Sequence, residues 1–157
     1  MLKSEAQQSI NYALEANIIY RFTKYIDWPD SKKFGDFIIV IVGDEPFSGV
    51  LERFVENKTV DNRRIVVKNS STETDFLTCD ILFISDEKSK SLKSIAATTK
   101  DAAILIVTES SGLASKGSCI NFSVVNDHLK LEINKNNIEQ RNLNIATELL
   151  SLGTIVK

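Results

Sequence analysis

The chain has one histidine, one tryptophan, two cysteines and two prolines in 157 residues, and each scarcity removes a class of function. His128 falls in a short polar connection between two strand-like runs. No serine or cysteine lies at a defined spacing from it, so no nucleophile–base arrangement can be read from the sequence. Cys79 and Cys119 are widely separated and do not form a metal-ligand spacing. They read either as two buried thiols or as one disulfide in an oxidising compartment. GxGxxG is absent, and the stretch Ser110 to Gly117, rich in Ser and Gly, lacks the spacing of a phosphate-binding loop. It reads as a loop. Lys and Arg are scattered and the formal net charge is −2, so no basic face is offered to nucleic acid. The longest apolar runs, Phe37 to Val42 and Ala102 to Val107, are far short of a membrane span. Met1 to Gln8 contains no apolar h-region. The chain is therefore expected to be either cytoplasmic or a mature form with a replacement Met1. Nothing in the pattern calls for a cofactor, a metal or an enzymatic role.

What is present is the composition of an ordinary globular domain, with 43% hydrophobic and 25% charged residues. The length suffices to bury a core without staples. Glu5 to Tyr25 reads as a helix with Ile10, Leu14, Ile18 and Phe22 inward and Ser4 as its N-cap. Asp27-Trp28-Pro29 ends it, because a residue before proline is pushed out of the helical region. Phe37 to Val42 is a strand buried on both faces. It breaks at Gly43-Asp44-Glu45-Pro46, and a helix follows from about Phe47 to Glu56. Further strands are expected around Arg64 to Val67, at Ile81 to Ile84 and at Ala103 to Val107, with a helix from about Glu87 to Thr98. Cys119 to Val125 and Leu129 to Ile133 form a hairpin. Asn134 caps a final helix.

The fold expected is α/β: a single three-layer domain over residues 1–157. A mostly parallel sheet of about six strands is flanked by helices, with an antiparallel hairpin near the C-terminus. The N-terminal helix spans about 5–26, the sheet and crossover helices about 37–133, and the C-terminal helix about 135–152.

In such sheets ligands bind beyond the carboxyl ends of the strands. Those ends carry Gly43-Asp44-Glu45, Ser85-Asp86-Glu87 and Thr108-Glu109-Ser110. Acids after the first and third strands and a hydroxyl after the fourth resemble a response-regulator receiver, which uses Mg²⁺ and a phosphoacceptor aspartate, here Asp86. A receiver also needs a lysine at the end of its fifth strand, and Cys119-Ile120-Asn121-Phe122-Ser123 has none. The plainer reading, that these residues cap helices, is favoured. Trp28 and its aromatic surroundings read first as a core cap and second as a pocket or partner surface.

Taken in order, several phrases resemble the YfiR family. They are Phe22-Thr23-Lys24-Tyr25-Ile26-Asp27-Trp28-Pro29, Gly43-Asp44-Glu45-Pro46-Phe47, Cys79-Asp80-Ile81-Leu82-Phe83-Ile84, and Gly117-Ser118-Cys119-Ile120-Asn121-Phe122. Leu131-Glu132-Ile133-Asn134 and Leu149-Leu150-Ser151-Leu152 close the set. The resemblance runs from about Asn11 to Leu152. It implies a non-enzymatic periplasmic protein whose signal peptide has been removed. It implies repression of a membrane-bound diguanylate cyclase through its periplasmic sensor domain, with an effect on cyclic-di-GMP and biofilm, and it implies a homodimer. Cys79 and Cys119 stand where the family can bear cysteines, so the resemblance makes them the disulfide candidates. The further C-terminal cysteine pair of some members is missing here. Tyr25, Trp28, Pro29, Asp44, Phe47, Asn121 and Asn134 are the candidates for a ligand or partner surface. A small-molecule-binding envelope sensor and a cytoplasmic receiver-like phosphoacceptor stand as alternatives.

Overall fold

The structure, a computed structural model, describes residues 5–157, with side chains from Tyr12 onward. The expected cap Ser4 and the side chain of Ile10 lie outside the described residues. The chain opens with α1 (Glu5–Tyr25), which runs directly into the two-residue strand β1 (Ile26–Asp27). Residues four apart on a helix are turned by about 40° relative to one another, so a stripe stepping by four wanders off any one face. The buried face of α1 is Ala16, Ile19 and Phe22, whereas Leu14 is 42% exposed and Ile18 is half-buried. The expected inward stripe is corrected accordingly.

Next come β2 (Phe37–Val42), α2 (Glu45–Val55), β3 (Thr59–Val60) and β4 (Arg63–Asn69). They are followed by α3 (Glu73–Thr78), β5 (Ile81–Ile84), a 3-10 turn over Asp86–Ser91, α4 (Leu92–Thr98) and β6 (Leu105–Thr108). A second 3-10 turn, Leu113–Lys116, interrupts the Ser/Gly loop. It leads to the hairpin of β7 (Ile120–Val125) and β8 (His128–Ile133). Asn126 and Asp127 take φ of 52° and 63°, which these residue types tolerate, and they make the two-residue turn. His128 is the first, exposed residue of β8, opposite Val125.

The C-terminal segment departs from the single helix expected over 135–152. It divides into α5 (Lys135–Gln140), β9 (Asn144–Ile145), α6 (Thr147–Leu150) and β10 (Thr154–Ile155). Asn142 has φ 61°, a left-handed stop that ends α5. The freed chain pairs β9 antiparallel with β1, Ile26 facing Ile145. Gly153 then passes against β8, where a Cβ would meet Ile133 Cδ1 at 2.7 Å and the Leu131 carbonyl at 2.9 Å.

Eight strands lie in the order β10-β8-β7-β6-β5-β2-β4-β3. The two beyond the six expected are the short edge strands β3 and β10. The five-strand parallel core, β4-β2-β5-β6-β7, has the doubly wound order in which chain direction across the sheet reverses between β2 and β5. Right-handed crossovers place α2 on one face and α3 and α4 on the other, and α1 packs beside α2. Residues Ile81–Ile84 and Ile39–Val42 are buried, as central strands covered on both faces require.

Candidate functional site

The chain reversal leaves a cleft of about 790 Å³ at the carboxyl ends of β2, β4 and β5, lined by Gly43, Asn69, Ser70, Thr72, Lys88 and Ser91 among others. Gly43 has φ +84°, and a Cβ there would meet Ser85 Oγ at 2.3 Å, so the loop closes only over glycine. Asp44 is committed within this loop. Both its oxygens accept from the Tyr12 hydroxyl at 2.9 Å, and Oδ1 accepts from the Phe47 amide at 3.1 Å, capping α2. Burial and the Asp44 carboxylate push the Tyr12 phenol far above its ordinary value. The Asp44 amide donates to Glu87 at 2.7 Å, and the Asp86 amide donates to Glu109 at 2.9 Å. Ser110 donates to the Asp86 carboxylate. Burial raises the Glu109 carboxyl above the usual carboxylate range, although the Asp86 amide opposes the rise. These acids clamp one loop to the next. Among the described residues, no group of three or more His, Cys, Asp or Glu could hold a metal ion.

The receiver comparison meets a specific obstacle at the neighbouring strands. The Thr108 hydroxyl is fully buried and shared between Ser118 at 2.8 Å and Asn121 at 2.6 Å. Asn121 in turn donates to Glu132 at 2.7 Å across the hairpin. The hydroxyl and fifth-strand positions are thus occupied by a closed polar network inside the fold.

At the amino edge of the sheet, Trp28 is buried and packs edge-on against Phe37 with ring centroids 5.1 Å apart. Its indole N–H donates to the Asp80 carbonyl at 3.1 Å. The Asp80 carboxylate accepts from the Ile38 amide at 2.9 Å and lies 3.7 Å from Lys32 Nζ and 3.8 Å from Arg63. Asp80 thereby ties the start of β5 to β2, to β4 and to the Trp28 segment. Sequence reasoning missed it, yet a charge set between a cysteine and four apolar residues was a readable signal of a buried, paired group.

Of the other candidates, Phe47 is buried, packed 5.0 Å from the Phe83 ring. Asn134 is buried and caps α5 by accepting from the Asn137 amide at 3.0 Å. Pro29 is half-buried beside Trp28. Cys79 and Cys119 are both free, buried thiols. They stand at the starts of β5 and β7 with β6 between, and two strand spacings are about 9.6 Å, beyond the roughly 7 Å that a bridge spans. The structure does not join them. Burial pushes the Cys79 thiol up to about 12, and Cys119 is raised for the same reason.

Only Tyr25 among the aromatic candidates is at the surface. It helps line a groove of about 240 Å³ between α1, β8 and α6, with Ile18, Leu129 and Leu152. Arg21 and Lys130 also line this groove, and no acidic side chain does. Among the described residues no helix is long and apolar enough to cross a membrane.

With the geometry in place, comparison with known families is informative. The YfiR/HmsC-like family model matches residues 12–154. The chain belongs to the YfiR/HmsC-like family. That family is one of periplasmic regulators. A crystal structure of a conserved domain protein from Vibrio cholerae O1 biovar El Tor strain N16961 shares the fold, with a TM-score of 0.64 at 10% identity. The likeness covers 93% of this chain and 60% of that one, so the chain spans less than two thirds of the Vibrio chain. Comparison with curated proteins finds no match. The phrases that carry the YfiR/HmsC-like resemblance are largely interior: Trp28, Phe47, Cys79, Ile81, Cys119, Asn121, Phe122 and Asn134 are all buried. The family signature is therefore mainly an instruction for this fold.

Proposed function

We propose that the protein is a non-enzymatic periplasmic regulator that binds the periplasmic sensor domain of an inner-membrane diguanylate cyclase and represses it. The observation that carries this reading is the family match over residues 12–154. The reading takes residues 1–157 as a single domain, exported with its leader removed and paired as a homodimer. The test is deletion in the native host, with cyclic-di-GMP measured by mass spectrometry, beside co-purification with each periplasmic sensor domain of the host's cyclases. A rise in cyclic-di-GMP on deletion, reversed by the cloned gene, and saturable binding to one sensor domain are the expected results. Unchanged cyclic-di-GMP with no sensor domain bound would refute the reading.

A second reading, a small-molecule-binding sensor of the envelope, is favoured by the cleft of about 790 Å³ at the chain reversal, where doubly wound sheets hold ligands. Trp28 lies at the opposite edge of the sheet and would not report occupancy. Amide shifts of Gly43 and Ser70 on titration with metabolite mixtures test this reading, and the absence of any shift would count against it.

A further inference from the structure

Helix α1 carries two apolar faces. One, formed by Ala16, Ile19 and Phe22, is buried in the core. The other places Leu14, Ile18 and Tyr25 at spacings of four and seven residues on the outer side of the helix. It remains partly uncovered, with Leu14 42% exposed. Across a groove of about 240 Å³, Ile18 and Tyr25 of this face look onto Leu129 of β8 and onto Leu152, which is 63% exposed. Apolar side chains of three separate elements thus meet at one open groove.

We propose that this groove receives an amphipathic helix with acidic flanks, supplied by the regulated partner. The existence of that partner rests on the proposed function; the chemistry of the occupant rests on the groove itself. The walls are side chains of two helices and one strand face, which suits the helix-in-groove mode with anchors at i, i+3, i+4 and i+7. The charge is one-sided. Arg21 and Lys130 line the groove with no acidic residue between them, although the whole chain is net negative at −2. A second copy docked here about a two-fold axis would set the same two cations against themselves. Carboxylates flanking an apolar ridge complement both properties at once.

The probe is a capped synthetic helix with leucines at i, i+3, i+4 and i+7 and glutamates beside them, titrated into the full chain by fluorescence anisotropy. A second peptide replaces each glutamate by lysine. The glutamate peptide is expected to bind at least about tenfold tighter than the lysine peptide, since like charges set against one another across an interface are unfavourable, and added salt should weaken it. The R21E/K130E variant should reverse the preference. Both positions are exposed, so its melting temperature serves as the check that it folds. Equal binding of the two peptides, or none, overturns the proposal. So does preferential binding to phosphatidylglycerol vesicles, or self-association abolished by R21E/K130E.

In the native host, a folded R21E/K130E that raises cyclic-di-GMP as deletion does supports the groove. If deletion raises it and R21E/K130E does not, the groove fails while the regulator reading stands. If deletion changes nothing, the regulator reading fails and the peptide titration decides the groove.

Discussion

Removing the Asp80 carboxylate tests the account of how the amino edge of the sheet is held. In Asp80→Ala the Ile38 amide loses its acceptor, and Lys32 and Arg63 lose their counter-charge. Asp80 is 3% exposed, and the side chains of Lys32 and Arg63 are 20% and 12% exposed. The case is therefore that of a largely buried ionic group with one partner deleted, which costs about 3–5 kcal/mol. Unfolding entropy is about 2.1 cal/mol/K per residue, or roughly 0.33 kcal/mol/K for 157 residues. The melting temperature should thus fall by about 9–15 °C. Asp80→Asn keeps an oxygen for the Ile38 amide and should cost less than half as much.

The pH dependence separates the two terms further. Burial holds the Asp80 carboxyl above its ordinary value despite the Ile38 amide, Lys32 and Arg63. A raised carboxyl pKa gives stability that is complete below the unfolded value of about 3.9 and is lost as pH rises through the folded one. The deficit of Asp80→Asn relative to the parent chain should therefore be larger at pH 4 than at pH 7. The assay is urea unfolding followed by Trp28 emission, with calorimetry at both pH values. If Asp80→Ala stays within about 1 kcal/mol of the parent, or if Asp80→Asn is as damaging as Asp80→Ala, the anchoring role assigned to Asp80 is refuted.

Two further outcomes follow from local geometry. Both thiols should resist alkylation at pH 8 in the folded chain and react fully once it is unfolded without reductant, because Cys79 and Cys119 are buried, free and protonated; a disulfide-linked peptide in the digest of natively expressed protein would contradict this. Gly43→Ala should lose about 1–3 kcal/mol and shift the amide resonances of Ser85 and Lys88, since its Cβ would fall 2.3 Å from Ser85 Oγ and 2.8 Å from Lys88 Cγ; an unshifted spectrum with unchanged stability would show that this loop is not as closely packed as it stands.

The elements legible in the sequence are those whose pattern has one structural solution. Ile81 to Ile84 matches its strand residue for residue, because four apolar residues bounded by polar ones have no better place than a covered central strand. The short polar connection Asn126-Asp127-His128 marked the hairpin, and the structure narrows the turn to Asn126 and Asp127, which accept the left-handed backbone a two-residue turn needs, while His128 opens β8. The C-terminal segment misled because its apolar positions are helix-spaced while Asn142 adopts a left-handed conformation, and a composition of Asn and Leu does not announce which asparagine will turn. Among the site candidates the failure has a single cause. Residues that recur in a family signature were taken as candidates for a surface, yet Phe47, Asn121 and Asn134 hold ring contacts, caps and buried hydrogen bonds, and Trp28 takes the core place that was its first reading.

A family built on such interior constraints can keep its fold while the exterior adapts to each partner. The specific chemistry is then expected where the signature is silent. On this chain such positions include Arg21 and Lys130, which stand outside the signature phrases and border the groove on the outer side of α1, where a helical stripe strong enough to be read as core in the sequence is left half in water. Burying that stripe inward would require rotating α1 and withdrawing Phe22 from its stack on Phe122, whose ring lies 6.1 Å away. The core already fixes the helix, so the second stripe can be covered only from outside.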